Sequence, residues 1–280
     1  MHHLIMDFAK FRSQRAADSR STKQLVELYV ASPDSEASHE ALTIIHARGG
    51  PDEFEHGSRL ARSTSSTERI AGADILAQLG WGTRTFLDES VSILLELLDD
   101  TSPDVQAAAA TALGHRNSNR AVEPLLRLVR HSDTSLRFGI VLGLSRQDDP
   151  RALEGLAQLS HDSDRDVRNW ATFGLAQQTD ADSEMIRETL AARAEDSDPE
   201  VRGEALIGLA RRQDPRALQL VERELAGEFH GDWAVEAAEH LADSRLYPVL
   251  ESLYARLDDG DRYRFSSSFA DALAACKQES

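Results

Sequence analysis

Apolar residues recur along this chain at steps of three and four, in runs of about twelve residues that polar turns separate. In one typical run, Val105, Ala109 and Leu113 fall on one face of a helix. This spacing is the pattern of an amphipathic helix packed on a core. Alternating patterns long enough for a β-strand do not occur. The hydrophobic pattern therefore predicts an all-α fold of short amphipathic helices.

The acidic turn and helix at 162–176 recur along most of the chain. With Val167 as the marker, equivalent positions follow at intervals of 30 to 36 residues, at Arg69, Val105, Leu136, Val201, Trp233 and Tyr263. This period suits a unit of two short helices and two turns. We therefore predict a repeat whose first helix is called A and whose second helix is called B.

Each repeat is predicted to contain one A helix and one B helix. The A helices are predicted at 22–31, 52–62, 88–99, 120–130, 150–160, 183–195, 215–226 and 246–257. The B helices are predicted at 34–47, 66–79, 103–114, 134–144, 164–176, 198–211, 232–242 and 260–275. Most prolines fall in the expected first turns, where the missing amide hydrogen has no partner within the helix.

The repeats are expected to form one continuous array over 1–280. Degenerate repeats are expected at 21–86, regular repeats at 87–245 and a capping repeat at 246–280. One helix pair has an apolar face too small to fold alone, so stacked neighbours bury a continuous core. The terminal repeats then need a polar outer face, which fits the degenerate ends.

The stretch Asp196-Ser-Asp-Pro-Glu-Val-Arg-Gly-Glu-Ala-Leu-Ile-Gly-Leu209 resembles the HEAT-repeat motif, in particular the subtype found in phycocyanobilin lyases. The resemblance is good over 88–211, fair over 66–80 and 215–242, and weak at both ends. It implies a HEAT-like α-solenoid of about eight antiparallel helix pairs. It also implies that the A helices form the convex face and that the B helices line a concave groove.

The resemblance further implies a ladder of hydrogen bonds between repeats. In the family, an Asp of the turn within the repeat and the Arg of Val-Arg form this ladder. Asp162 and Arg168 have the expected offset of six residues, and so do Asp196 and Arg202. The sequence therefore predicts ladder contacts at these four residues.

In two repeats, one of the two residues at this offset is neither the expected Asp nor the expected Arg. The offset pairs Asp100 with Gln106, and it pairs His131 with Arg137. Because a buried Arg without its acid costs several kcal/mol, we expect Arg137 to bind Asp133 or a carboxylate of a neighbouring repeat.

Charge narrows the range of partners. The chain has 31 Lys and Arg against 48 Asp and Glu, a formal net charge of −17. This balance repels phosphate backbones, so we expect no nucleic-acid partner. No run approaches the roughly 20 apolar residues of a membrane-spanning helix, and the first residues lack a signal-peptide pattern. We expect a cytoplasmic protein without a membrane partner.

Motifs for cofactor chemistry are weak. The carboxylates between Asp162 and Asp166 lack the Gly and Glu that complete a calcium loop. HEAT-like di-iron oxygenases carry several His-Glu pairs, and this chain has only His39-Glu40 in that order. A metal-dependent oxygenase is therefore the least favoured of the functions considered.

A second metal pattern lies on one predicted B helix. Glu236, Glu239 and His240 have the spacing of a mononuclear site, but a solvated acidic face explains them more simply. The single cysteine, Cys276, excludes a cysteine cluster. We expect no cofactor and no metal, and the sequence favours a non-catalytic protein over an enzyme.

One group of side chains is a candidate site. Aromatic residues make up only 6% of the chain, yet three Phe and Trp gather on two neighbouring B helices. Positions two, three and six after the marker are expected to face the groove. The predicted groove residues are Phe138, Leu142, Asn169, Trp170, Phe173, Glu204, Ile207, Glu236 and Glu239.

Two interpretations of these aromatic side chains remain open. Trp170 and Phe173 either fill the core, where Gly139 and Gly174 leave room, or form an apolar patch in the groove. A patch flanked by acids predicts a scaffold that binds a partner protein or peptide with apolar and basic residues. The alternative is a bilin-lyase-like accessory protein or chaperone that holds a small hydrophobic ligand.

Overall fold

The computed structural model describes residues 8–33, 35–147 and 149–277, and every regular element in these ranges is helical. The predicted all-α fold is confirmed. The chain divides into two compact units, Met1–Asp149 and Pro150–Ser280. The division falls inside the region predicted to hold regular repeats.

Unit 1 contains nine α-helices in its described residues. They are α1 (Phe8–Ala16), α2 (Thr22–Ala31), α3 (Glu36–Arg48), α4 (Pro51–Leu60), α5 (Ser66–Ala77), α6 (Leu87–Leu97), α7 (Pro103–Arg116), α8 (Val122–Leu126) and α9 (Thr134–Leu144). The B helices α5, α7 and α9 pack side by side, and each A helix packs on the B helix that follows it.

Unit 2 also contains nine α-helices in its described residues. They are α10 (Pro150–Leu159), α11 (Arg165–Gln177), α12 (Glu184–Arg193), α13 (Pro199–Arg211), α14 (Ala217–Ala226), α15 (Trp233–Leu241), α16 (Tyr247–Arg256), α17 (Asp259–Arg264) and α18 (Ser266–Cys276). The B layer of unit 2 consists of α11, α13, α15 and α18, and each A helix packs on the B helix of its own repeat.

The described residues form eight helix pairs, as predicted, but the elements near both ends differ from the prediction. Helix α1 precedes the predicted repeats and packs on α3. The helix predicted at 260–275 is broken into α17 and α18. Tyr263, the predicted core marker there, is 86% exposed, whereas Phe269, Ala272 and Cys276 are buried. The apolar face of the last repeat therefore begins six residues after the predicted marker.

The buried face of the regular B helices follows the predicted register. Val167, Ala171 and Leu175 of α11 are fully buried, one turn apart along the helix. The equivalent residues of α13 are also fully buried, and they are Val201, Ala205 and Leu209. This register turns the intervening polar positions toward solvent or toward the neighbouring B helix.

Small residues bring α7 and α9 close together in unit 1. A Cβ atom built on Gly139 would lie 2.6 Å from the backbone oxygen of Ala107, and one on Gly114 would lie 2.4 Å from that of Leu142. The backbone of the neighbouring helix therefore fills the space beside Gly139. An aromatic ring does not, contrary to one interpretation of the sequence.

The ladder contacts connect the turns with the B helices. Arg168 Nη1 donates to the backbone oxygen of Asp162 at 2.9 Å, and its Nε donates to Asp196 Oδ2 at 3.0 Å. Arg202 Nη1 donates to the backbone oxygen of Asp196 at 3.0 Å, and its Nη2 donates to Glu224 Oε1 at 2.9 Å. Each Arg thus binds its own turn and a carboxylate of the next repeat.

Arg69 forms the same two kinds of contact in unit 1. Its Nη1 donates to the backbone oxygen of Ser63 at 3.0 Å, and its Nε donates to Asp100 Oδ2 at 2.6 Å. Arg69 therefore corresponds to Arg168. The repeat spacing aligns it with Val167, the residue before Arg168.

The two irregular rungs of the ladder are also in unit 1. Gln106 Nε2 donates to the backbone oxygen of Leu98 at 2.7 Å. His131 Nδ1 accepts from the backbone amide of Asp133 at 3.1 Å, the contact that an Asp makes in other turns. Arg137 Nη1 donates to the backbone oxygen of His131 at 3.0 Å, while Asp133 caps α9. In the regular ladder, the Arg of one repeat binds the acid in the turn of the next repeat. Gln106 replaces that Arg and His131 replaces that acid, so this pair loses both of its charges and neither is left without its counter-charge.

Candidate binding surface

Two cross-helix hydrogen bonds join α11 to α13 in unit 2. Asn169 Nδ2 donates to Glu200 Oε2 at 3.4 Å, and Gln177 Nε2 donates to Glu204 Oε2 at 2.7 Å. Residues four apart share one side of a helix, so Phe173 lies between these two bonds on the side of α11 that faces α13.

Trp170 lies at the surface beside Phe173. Its side chain is 42% exposed, and the two rings meet edge to face with centroids 5.6 Å apart and an interplanar angle of 80°. Phe173 is half-buried. The interpretation that both rings fill the core is therefore wrong for Trp170, because 42% of this residue remains accessible to solvent.

Carboxylates flank this aromatic pair. Burial raises the pKa of Glu204, and the nearby charges of Glu236 and Glu200 raise it further, whereas hydrogen bonds from Gln177 and Trp233 oppose the shift. Burial also raises the pKa of Glu236. Like charges are thus held close together along the B layer, an arrangement that favours the binding of a cation.

Trp233 connects this acidic stretch to α15. A Cβ atom on Gly203 would lie 2.5 Å from Trp233 Cγ, so the indole packs directly on the backbone of α13. From there the indole N–H lowers the pKa of Glu204. The glycine therefore lets Trp233 approach the Glu204 carboxylate, which also accepts from Gln177 at 2.7 Å.

We define the B surface of unit 2 as Asn169, Trp170, Phe173, Gln177, Glu200, Glu204 and Glu236. Glu239, predicted as part of the groove, is exposed on α15. Ile207, also predicted to line the groove, is fully buried. That prediction is wrong because α13 packs between α11 and α15, which covers more of its circumference than the repeat pattern indicates.

The two remaining predicted groove residues, Phe138 and Leu142, lie on α9 of unit 1. Both side chains are half-buried. Seven of the nine predicted residues therefore belong to unit 2, and six of those seven keep some exposure.

Gln177 and Glu200 are members of the B surface that the sequence did not single out. Gln177 follows Phe173 by four residues, and Glu200 precedes Glu204 by four. This spacing indicates that each residue shares a helix face with a predicted groove residue. The hydrogen bonds between those faces depend on how α11 and α13 pack, which the spacing does not give.

Metal-binding geometry is absent from the part of the chain that the structure describes. No group of three or more His, Cys, Asp or Glu side chains is arranged to hold an ion there. Glu236 Oε1 and His240 Nε2 are 3.8 Å apart, the spacing of an ion pair on one helix turn. In the same ranges, each helix is too short or too polar to cross a lipid bilayer.

Comparison with known families agrees with the repeated helix pairs of the fold. A model of HEAT repeats matches residues 91–176 and 156–242, which together span 152 of the 280 residues. The chain belongs to the HEAT-repeat family. The phycocyanobilin-lyase subtype remains a prediction.

Solved structures resemble this HEAT-repeat chain over most of its length. The X-ray structure of YibA from Escherichia coli is 26% identical, covers 98% of this chain and 97% of its own, and has a TM-score of 0.71. An engineered protein is 20% identical, covers 92% of this chain and 79% of its own, and has a TM-score of 0.53. None of the curated protein sequences matches the chain significantly.

Proposed function

We propose that this protein is a non-enzymatic scaffold whose B surface in unit 2 binds a partner protein or peptide. The observation that carries the proposal is the exposure of Trp170, which remains at 42% although the ring packs against Phe173. Interface hot spots are enriched in Trp that is anchored on a rigid element. Trp170 lies on α11, which packs against α10 and α13, so the backbone that carries it is already ordered before a partner binds.

The charge of the surroundings supports a partner with basic residues. Glu200, Glu204 and Glu236 lie along the same layer, and the whole chain carries a net charge of −17. A partner with apolar side chains flanked by Lys or Arg matches both features, because charge complementarity steers association and excludes acidic competitors.

The bilin-lyase-like alternative receives less support than the scaffold. The groups beside Phe173 are amide and carboxylate side chains, whereas sites for small hydrophobic ligands are lined predominantly by apolar side chains.

Affinity capture from the native host extract tests the proposal. The bait proteins are the wild-type chain, Trp170→Ala and, as a matched control, Tyr263→Ala, which removes another exposed aromatic residue of unit 2. We expect a partner that the wild type and Tyr263→Ala retain and that Trp170→Ala loses. Circular dichroism should show equal helicity for all three.

Two outcomes would contradict the scaffold. Equal retention of every partner by Trp170→Ala would remove the B surface from the interaction. A stoichiometric pigment or metal in the purified wild-type protein, detected by absorbance and elemental analysis, would favour one of the other two functions.

A further inference from the structure

We infer that the Trp170–Phe173 pair seats the guanidinium group of a partner arginine, with Glu200 as the counter-charge. This inference rests on the proposed function and adds the chemistry of the partner side chain.

The aromatic geometry suits a planar cation. Edge-to-face packing at 80° gives Trp170 and Phe173 the form of a corner, and 42% of Trp170 remains exposed. Arg and Lys bind over aromatic faces, Trp being the best, through the attraction of the cation to the ring quadrupole. An arginine stacked on Trp170 would keep its planar face parallel to the indole.

Glu200 lies next to this corner. Its side chain is 39% exposed, and its Oε2 accepts from Asn169, the neighbour of Trp170 in sequence. The same Oε2 accepts from Arg165 Nη2 at 2.6 Å, so the carboxylate already binds one guanidinium of this chain. Both of these bonds use Oε2, which leaves Oε1 of Glu200 as the acceptor for a second cation.

A further acceptor distinguishes arginine from an apolar anchor. Asn169 Oδ1 is buried and has no hydrogen-bond partner in the described part of the chain. A guanidinium carries five N–H donors, so it can supply a donor to this oxygen while it binds Glu200. An apolar side chain would leave Asn169 Oδ1 unsatisfied.

Arginine is expected to bind better than lysine. A guanidinium stacks on the ring and binds a carboxylate at the same time, whereas an ammonium is strongly hydrated and acts as a point charge. The neutral isostere citrulline keeps the shape and loses the charge. These three side chains and leucine form a series that separates shape, charge and hydrophobicity.

Fluorine NMR of the full chain labelled with 5-fluorotryptophan tests this inference. The three resonances of Trp81, Trp170 and Trp233 are assigned with single Trp→Phe variants. The probes are the N-acetyl amides of arginine, lysine, citrulline and leucine. We expect a saturable shift of the Trp170 resonance with the arginine amide, and binding of the citrulline amide about fivefold weaker or worse.

Two substitutions test the counter-charge. Glu200→Gln should weaken binding of the arginine amide several-fold. The control Glu195→Gln removes another exposed carboxylate, which binds Arg223 at 2.9 Å, and should leave the affinity unchanged. Equal effects of the two variants would overturn the role of Glu200.

The outcomes separate this inference from the proposed function. If the leucine amide shifts Trp170 as strongly as the arginine amide, or if no amide shifts it while partner capture still depends on Trp170, the arginine seat is wrong and the scaffold stands. If the arginine amide binds but capture is indifferent to Trp170→Ala, the seat is supported and the proposed scaffold role of this surface is wrong.

Discussion

Arg168 of α11 and Asp196, in the turn before α13, form an ion pair between consecutive repeats, with 3.0 Å between Nε and Oδ2. The two side chains keep 14% and 6% of their exposure. Asp196 Oδ1 also accepts from the backbone amide of Asp198 at 3.0 Å. One carboxylate therefore determines the shape of a turn and holds the adjacent repeat against it.

Replacing Asp196 should destabilise unit 2. In Asp196→Ala, the largely buried Arg168 loses its acid, and breaking such a pair costs about 3 kcal/mol. Urea denaturation followed by circular dichroism measures the loss. The control Glu195→Ala breaks an exposed pair with Arg223 and should cost less than about 1 kcal/mol. Equal losses would show that the ladder does not stabilise the stack.

Acidification should destabilise unit 1 through His46. Burial lowers its pKa from 6.5 to about 4, and nearby Arg116 and His115 act in the same direction. Since the pKa in the unfolded chain is higher, the stabilisation is complete above pH 6.5 and is lost as the pH falls towards 4. The full loss is on the order of 3 kcal/mol.

The substitution His46→Gln isolates this effect. Nε2 of His46 donates to the backbone oxygen of Asp74 at 2.8 Å, a bond that a Gln amide can replace. The urea midpoint of His46→Gln should depend less on pH between 6.5 and 4 than the wild type. His39→Gln, at an exposed position, should follow the wild-type curve. Parallel curves for all three proteins would exclude His46 as the group responsible.

Adding one methyl group at Gly203 should displace Trp233. A Cβ atom there would lie 2.5 Å from Trp233 Cβ and Cγ, so Gly203→Ala forces the indole away from α13. Overpacking of this kind costs about 1–3 kcal/mol. Tryptophan fluorescence and thermal unfolding should both change. Gly82→Ala, where no atom lies within 4 Å of the new carbon, is the matched control and should change neither.

Even a conservative replacement of Arg116 should destabilise the protein. It is 1% exposed, its Nε donates to the backbone oxygen of Leu76 at 2.6 Å, and its Nη2 donates to Ser90 Oγ at 3.2 Å. Burial lowers its pKa to about 10. Arg116→Lys loses the planar fork and should cost about 2 kcal/mol or more.

Hydrogen exchange distinguishes a local role of Arg116 from a global one. Its Nη1 donates to the backbone oxygens of Leu79 and Thr85, at either end of a loop. Amides of 79–86 should exchange faster in Arg116→Lys. The control Arg120→Lys changes an exposed arginine of the following turn and should leave that exchange unchanged.

The repeat pattern predicted the helices well and the surface only in part. Val167, Ala171 and Leu175 are buried as their spacing indicates, because burial on one helix face depends on local periodicity. Ile207 falls at a position that the repeat spacing assigns to the groove, yet it is buried. Its exposure depends on how closely α11 and α15 approach α13, which the sequence of α13 does not encode.

The sequence by itself determined the all-α class, the eight helix pairs and the turns, since these depend on the spacing of apolar residues, prolines and glycines within each repeat. Only the tertiary structure decided that Trp170 is exposed and Ile207 is not. It also decided that Asn169 binds Glu200 and that Gln177 binds Glu204, two hydrogen bonds between side chains 31 and 27 residues apart in sequence. They depend on how neighbouring helices pack, a property of the stack rather than of any single repeat.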